Sequence, residues 1–201
     1  MRTTTSDARQ LAIITAARDL FARQGFHGTT MPEIAKAAKV SVGLIYYHFE
    51  SKADILLAIV DESHAYSNTV FEDSQVIADP RERLDRVVHD LYTAIDKGAK
   101  LFLILYKDLQ QLSREERRRI FKLEDENVDR ITAIIREGQE KGLFAADIPD
   151  VPLLAANIIG LGHLWALKKT WYFASRLTLD EYIDHQLHYI HAILAGGGIH
   201  A

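Results

Sequence analysis

Apolar residues recur along most of this chain at the three- and four-residue spacing of amphipathic helices. Ile13, Ala17 and Phe21 share one stripe of a first helix, which the pattern places at about residues 6–24, with Gly25 as its stop. Little of the chain alternates with the two-residue period of a strand. The pattern therefore predicts an all-α fold of about nine helices.

Capping residues mark where the later helices begin. Thr30 precedes Glu33 at capping-box spacing, and Ser41 can cap a short helix over residues 42–49. Asp79 followed by Pro80 is typical of a helix start. After the first, helices are predicted at about residues 31–38, 42–49, 51–75, 100–112, 113–141 and 178–196, and two more start near residues 79 and 150.

The sixth predicted helix contains six consecutive residues without a polar break, Leu101 to Tyr106. Periodicity alone fits a buried strand equally well, and the continuation into Lys107 and Asp108 favours a helix. Because a helix that is apolar all round is a buried one, we expect it at the centre of the C-terminal part, surrounded by helices four, five, seven and eight.

Composition narrows the class of protein. The 201 residues include no cysteine, which excludes disulfides and thiolate metal sites, and the polar start lacks a signal-peptide pattern. We see no apolar run of bilayer length and expect a soluble, cytoplasmic protein that does not bind membranes. The net charge is −4, but residues 1–54 hold seven basic and five acidic side chains, which leaves −6 on the remainder. A basic head on an acidic body favours an approach to phosphate.

Residues 30–52 read as two short helices around a tight turn, followed at once by another helix start. This is the pattern of a helix-turn-helix, whose second helix lies in the major groove of DNA. Ile45 and Phe49 are four residues apart and face the core. The outward residues, which are candidates to contact DNA, are Val42, Gly43, Leu44, Tyr47 and His48.

The motifs GFHGTT at 25–30, EIA at 33–35 and VSVGLIYYHF at 40–49, with Lys52, resemble the DNA-binding domain of TetR/AcrR-family transcriptional regulators over about residues 8–58. The resemblance implies domains at 1–50 (DNA binding) and 51–201 (effector binding and dimerisation). It implies phosphate contacts from Thr30 and Lys52 and base-edge contacts from Val42, Gly43 and Leu44. Tyr47 and His48 would contact the DNA backbone, Tyr46 would contact phosphate or pack in the core, and Ser41 completes the predicted set.

Two positions depart from the family pattern. Lys39 stands where the turn usually has glycine, so either a left-handed conformation costs about 1 kcal/mol or a tighter right-handed turn is used. Leu44 stands where a hydroxyl residue is common, and leucine offers only apolar contact, for example to a thymine methyl.

The C-terminal part carries aromatic and imidazole side chains that suit the walls of an apolar ligand pocket, and that suit ordinary core packing as well. The family resemblance implies an effector pocket here, and residues 160–182 are weakly similar to members that sense fatty acyl-CoA. The candidate effector-binding residues are Tyr66, Phe71, His89, Tyr92, Phe102, Tyr106, His163, Trp165, Trp171 and Tyr172.

The resemblance also implies a homodimer formed by the last two helices, and an ordinary core explains their apolar residues equally well. The residues that suit such a surface are Ala155, Ala156, Ile159, Gly160, Leu187, Ile190, Ile193 and Leu194. His185, His188 and His191 drift about 60° around their helix, which disfavours one shared metal ion. We expect polar packing there, with no metal and no cofactor.

The sequence therefore predicts a repressor that a small apolar effector, such as an acyl-CoA or fatty acid, releases from a palindromic double-stranded operator. One alternative is a repressor of an efflux pump that responds to hydrophobic drugs. A helical-bundle enzyme is disfavoured because paired Glu-x-x-His, His-Glu-x-x-His and Gly-x-Ser-x-Gly motifs are missing from the sequence. An architectural DNA protein is disfavoured by the large acidic C-terminal part.

Overall fold

A computed structural model describes residues 5–196, and in that range the chain forms nine α-helices and no strand. The all-α fold and the number of helices are therefore confirmed. A 3-10 turn, Leu109–Gln111, follows the sixth helix, and a π-helical turn, Lys169–Phe173, extends the eighth. The helices are α1 Thr5–Gln24, α2 Met31–Ala38, α3 Val42–His48, α4 Lys52–Ser74, α5 Pro80–Lys97, α6 Ala99–Asp108, α7 Arg114–Glu140, α8 Val151–Lys168 and α9 Leu179–Leu194.

Local hydrogen bonds set the helix starts. At α2, the Thr30 hydroxyl accepts from the Glu33 N–H at 3.4 Å, and the Glu33 carboxylate accepts from the Thr30 N–H at 2.8 Å. These reciprocal bonds satisfy amide donors that a helix start leaves unpaired. The same arrangement occurs in the pairs Ser51 with Asp54, Ser113 with Glu116, and Thr178 with Glu181.

The described chain divides into two compact units. The first comprises residues 5–64 and 100–121, and the second comprises residues 65–99 and 122–196. Helices α4 and α7 each run from the first unit into the second. The domain boundary after residue 50 stays a prediction.

The first unit contains a three-helix head, α1 to α3, that packs around fully buried isoleucines. Ile13, Ile34 and Ile45 are each 0% exposed, and the Phe21 and Phe26 rings meet at 5.3 Å. Gly25 ends α1 with φ +79°, a left-handed conformation that glycine adopts without steric cost. This core holds α3 in place from behind.

The prediction that the sixth helix is buried at the centre of the C-terminal part was wrong. Helix α6 belongs to the first unit together with the head, and only part of its apolar surface is buried. Leu101 and Ile104 are buried, whereas Leu103 is 45% and Tyr106 is 59% exposed. Periodicity identified the helix, but hydrophobicity alone did not show which face is covered.

The second unit packs α5 against α8 and α9. The Tyr92 hydroxyl donates to the Ile158 carbonyl at 2.6 Å, and the Tyr182 hydroxyl donates to the Leu161 carbonyl at 2.8 Å. Gly162 permits this approach, because a Cβ there would lie 2.9 Å from the Tyr92 ring. Two aromatic side chains in this unit therefore form hydrogen bonds to the backbone of α8.

One described stretch, Val151–Phe173, is long and apolar enough by length and composition to cross a membrane, so the expectation of no such run was wrong. A core helix passes the same test. The contacts of α8 with α5, α9 and the π-helical turn are those of a helix packed in a protein core.

Candidate nucleic-acid interface and ligand region

Helix α3 has one anchored face and one exposed face. Ile45 is 0% and Phe49 is 5% exposed, so these two side chains hold the helix to the head as predicted. Tyr46 is 55% and Tyr47 is 79% exposed, and Val42 is 37% exposed. Core packing therefore does not account for Tyr46, and the paired tyrosines remain available to a partner.

The start of α3 is capped and open to its surroundings. Ser41 accepts from the Leu44 N–H at 3.1 Å through its hydroxyl, and the side chain is exposed. A Cβ built on Gly43 would meet nothing within 4 Å. Leu44 and His48 are half-buried, and the His48 ring meets the Tyr47 ring edge-on at 5.1 Å. No side chain of residues 5–196 fills this position, which leaves room for close approach from outside.

The turn between α2 and α3 uses the left-handed conformation. Lys39 has φ 56° and ψ 42°, so the alternative of a tighter right-handed turn was wrong. The Lys39 N–H donates to the Lys36 carbonyl at 3.3 Å, and the Val40 N–H donates to the Ala35 carbonyl at 3.0 Å. These bonds close the end of α2 and offset part of a conformational cost of about 1 kcal/mol.

Lys52 is engaged inside the head. Its ammonium donates to the carbonyls of Phe26 at 2.8 Å and Thr29 at 2.6 Å, and more weakly to that of His27 at 3.4 Å. It also lies 4.8 Å from the centre of the Phe26 ring, and burial lowers its pKa. An ammonium has three donors, so these acceptors occupy all of them. The phosphate contact of Lys52 stays a prediction, and so does that of Thr30, whose exposed hydroxyl donates to Glu33.

Sequence reasoning missed Asp108. This carboxylate is 7% exposed and accepts from the Phe26 N–H at 2.9 Å. It lies 82 positions from Phe26, so no local pattern indicated the contact. It ties α6 to the turn between α1 and α2.

The candidate effector-binding residues are divided between the two units. Phe102 and Tyr106 belong to the first unit, and the rest belong to the second. Within the second unit, Phe71, Tyr92, His163 and Trp165 are buried, whereas Tyr66, His89, Trp171 and Tyr172 are exposed. Their role in effector binding stays a prediction.

The buried members have defined polar surroundings. Trp165 donates through its indole N–H to Asp96 at 2.7 Å, and Lys169 donates to the same carboxylate oxygen at 2.6 Å. Burial lowers the pKa of His163 to about 4, and its Nδ1 lies 3.8 Å from a Glu124 carboxylate oxygen. His163 is therefore neutral near pH 7.

Three buried polar atoms in the second unit have no hydrogen-bond partner in the described residues: Asn68 Oδ1, Asn127 Oδ1 and Thr132 Oγ1. Arg130 lies over the Phe71 ring, with its guanidinium carbon 5.3 Å from the ring centre. Sequence reasoning missed these groups as well. For Asn127 the available signal was its place in a helical stripe with Ile120, Leu123 and Ile131.

A shallow apolar groove of about 420 Å³ lies between α8 and α9. Of the residues predicted for a dimer surface, Ala156, Gly160 and Ile193 are exposed, Leu187 is half-buried, and Ala155, Ile159, Ile190 and Leu194 are buried. His191 Nε2 lies 2.6 Å from an Asp85 oxygen, which gives this histidine a polar partner. The groove is lined by Leu154, Asn157, Ile158, Gly160, Leu161, Tyr189, Ile190 and Ile193.

Comparison with known proteins matches both parts of the chain. Residues 13–59 match the family model described as bacterial regulatory proteins, tetR family, and residues 78–192 match that described as tetracyclin repressor-like, C-terminal domain. The transcriptional regulator HbdR of Aromatoleum sp. (strain CIB) is 32% identical over 182 residues, which cover 90% of this chain and 78% of HbdR.

Two further similar proteins have fatty acids or an acyl-CoA in their printed descriptions. The fatty acid metabolism regulator protein of Bacillus subtilis (strain 168) is 28% identical over 76% of this chain and 78% of its own length. The crystal structure of AibR in complex with isovaleryl coenzyme A and operator DNA superposes with a TM-score of 0.73. It is 26% identical and covers 90% of this chain and 97% of AibR.

Proposed function

We propose that this chain, which belongs to the TetR family of bacterial regulatory proteins, represses transcription. In this proposal it binds a palindromic operator as a homodimer, and a small apolar effector releases it from that operator. The relatives are DNA-binding transcriptional regulators, not enzymes. The proposed effector class is an acyl-CoA or a fatty acid. We propose that the protein acts in the cytoplasm, where its operator would lie.

The observation that carries the DNA-binding part is the exposed face of α3. A helix-turn-helix places its second helix in the major groove. Tyr46 and Tyr47 project from the same face of the head as the open position at Gly43. We propose that α3 contacts base edges near Val42, Gly43 and Leu44 and that the tyrosines contact the phosphate backbone. Lys52 then acts by positioning the turn at Phe26, because its donors are occupied there.

The dimer is supported by the groove between α8 and α9 and by the apolar side chains around it. Leu153 is 57%, Tyr189 is 58% and Ile193 is 48% exposed. A two-fold pair of heads reads two half-sites about one helical turn apart, which is why we propose a palindromic operator. We expect Ile193→Asp to convert the dimer to monomer in sedimentation. A dimer that persists in Ile193→Asp and Tyr189→Asp contradicts this surface.

The effector response is proposed to act through the helices shared by both units. Helices α4 and α7 are continuous from the first unit into the second, so a ligand that favours one arrangement of the second unit can bias the head. The shift in operator occupancy is limited by the difference in affinity of the ligand for the two states. The named ligand of AibR and the named role of the Bacillus regulator support acyl compounds.

Operator affinity measured by fluorescence anisotropy tests the proposal. DNA from upstream of the gene for this chain and of its neighbours is titrated with protein, alone and with acyl-CoAs, fatty acids or hydrophobic drugs. We expect at least a tenfold loss of affinity with one acyl compound. Release by drugs alone supports the efflux-pump alternative, and unchanged affinity with all of them contradicts effector release.

A matched pair of variants tests the interface. Tyr47→Ala should weaken binding to every DNA sequence, because a backbone contact carries no base information. Phe121→Ala removes an exposed aromatic side chain of α7 and should leave affinity unchanged. Equal affinity of both variants and the wild type contradicts the proposed role of α3.

A further inference from the structure

Two asparagines in the second unit lack the hydrogen-bond partners that buried polar groups ordinarily have. The Oδ1 atoms of Asn68 and Asn127 are buried and accept no hydrogen bond in the described residues. Folded proteins satisfy the large majority of buried polar atoms, because an unpaired one loses its hydration without compensation. Each exception therefore requires an explanation, and a bound molecule supplies one.

These groups cluster around one contact between α4 and α7. The Arg130 guanidinium lies 5.3 Å from the centre of the Phe71 ring. Asn68 precedes Phe71 by three residues, and Asn127 precedes Arg130 by three. Residues three apart share a helix face. Asn68 and Asn127 therefore each lie one helical turn before a residue of this contact.

Arg130 brings a positive charge to this contact. Within the described residues Arg130 makes a cation–π contact with Phe71 and no ion pair with a carboxylate. A guanidinium stacked on a ring keeps its edge N–H groups free for bidentate bonding to an oxyanion. Glu124 lies two turns earlier on α7, beside His163. The free donors therefore favour an acidic oxygen group near Arg130.

The surroundings are apolar beyond these polar groups. Phe71 is 3% exposed, and Val70, Ile131, Ile134 and Ile135 are buried on the same two helices. An apolar region with a few convergent polar groups is the usual form of a small-molecule site. A ligand that satisfies both parts has an acidic head and an apolar chain.

We propose that Arg130, Asn127 and Asn68 form a head-group subsite, which binds the carboxylate or phosphate oxygens of an amphipathic effector. The carboxamides of the two asparagines bond to the head group or its neighbouring polar atoms, and the chain of the effector packs beside Phe71. This inference rests on the proposed function, since it assumes an effector site in the second unit.

Calorimetric titration of the full-length protein tests the subsite. The probes are dodecanoate, its uncharged methyl ester and dodecanoyl-CoA. We expect the acidic probes to bind at least tenfold more tightly than the ester, and Arg130→Gln to remove that difference. Arg136→Gln, an exposed arginine on α7, is the control and should bind all probes like the wild type. Preference for dodecanoate identifies a carboxylate as the head group, and preference for dodecanoyl-CoA identifies its phosphates.

The asparagines provide a readout that a purely structural role would not give. Asn127→Leu and Asn68→Leu remove an unpaired acceptor, so each should raise the melting temperature of the ligand-free protein while weakening the acidic probe at least fivefold. A lowered melting temperature with unchanged binding contradicts the subsite. Arg130→Lys keeps the charge but not the planar fork, and an intermediate loss of affinity is expected even if Arg130→Gln folds poorly.

The outcomes separate this inference from the proposed function. If the methyl ester binds and releases operator DNA as well as the acid does, and Arg130→Gln changes neither, the subsite is overturned while effector release stands. If no apolar probe of any charge binds or alters operator affinity, both fail.

Discussion

Asp108 and Lys52 both bind the backbone of Phe26, one at its N–H and the other at its carbonyl. The Asp108 carboxylate accepts from the Phe26 N–H at 2.9 Å, and the Lys52 ammonium donates to the Phe26 carbonyl at 2.8 Å. The turn between α1 and α2 is thereby tied both to α6 and to the start of α4.

Loss of the Asp108 carboxylate should destabilise the protein. Asp108→Ala leaves the buried Phe26 N–H without its acceptor, which costs about 1–3 kcal/mol in the free energy of unfolding. Urea denaturation measures this change. Asp129→Ala removes an exposed aspartate and should stay within about 0.5 kcal/mol of the wild type. Equal stability of the two variants contradicts a structural role for Asp108.

Salt dependence distinguishes the two roles of Lys52. Lys52→Met should weaken operator binding by disturbing the turn at Phe26, while the slope of log affinity against log salt stays unchanged. A lysine that neutralises one phosphate would instead reduce the magnitude of that slope by about 0.9. Anisotropy titrations at several salt concentrations measure it, and a reduced slope restores the phosphate contact that the sequence predicts.

Glycine at position 39 should stabilise the head. Lys39 has a positive φ of 56°, and Lys39→Gly relieves the clash of its Cβ at a gain of about 0.5–1 kcal/mol. Lys36→Gly, inside the right-handed α2, should lose about 1 kcal/mol. Thermal unfolding compares the two variants. A loss of stability in Lys39→Gly shows that the lysine side chain makes a compensating contribution.

Gly43→Ala should separate stability from binding. The added methyl group meets open space and favours the helix, so stability should rise by about 0.5 kcal/mol. The same methyl group stands on the face proposed to approach base edges, and operator affinity should fall about tenfold, or about 1.4 kcal/mol. Thermal melts and anisotropy titrations measure the two effects. Undiminished affinity means that α3 does not approach DNA at this residue.

Acidification should destabilise the protein through His163. The unfolded histidine titrates near pH 6.5 and the folded one at about 4, so between these values the unfolded chain binds a proton that the folded chain does not. Stability attributable to His163 is present above pH 6.5 and is lost as the pH falls. Between pH 7 and pH 5 the loss should be about 2 kcal/mol relative to His163→Gln, measured by urea denaturation. Parallel pH profiles for the two proteins contradict the buried, neutral imidazole.

Helix starts were predictable because their determinants lie within three residues of one another. The capping bonds of Thr30 with Glu33 and of Thr178 with Glu181 depend on spacing that the sequence displays directly. The anchored face of α3 followed in the same way from Ile45 and Phe49. The family motifs then connected that helix with DNA binding.

Contacts between distant parts of the chain were not predictable from spacing. Asp108 reaches Phe26 across 82 positions, and Lys52 finds its acceptors 23 to 26 residues earlier in the chain. Apolar character indicated that α6 is a helix, but its assignment to the first unit depends on tertiary packing. The unpaired amides of Asn68 and Asn127 likewise emerge only when neighbouring helices are present.

Because of the π-helical turn Lys169–Phe173, the number of residues at the end of α8 affects the structure that follows. A π-helical turn accommodates one residue more than an α-helical turn, which here accompanies an outward Trp171 and a Phe173 ring stacked on Trp165 at 5.4 Å. Deleting a single residue would rotate everything after it by about 100°. Related proteins of the same architecture should therefore tolerate exchanges of side chains in this segment more readily than insertions or deletions.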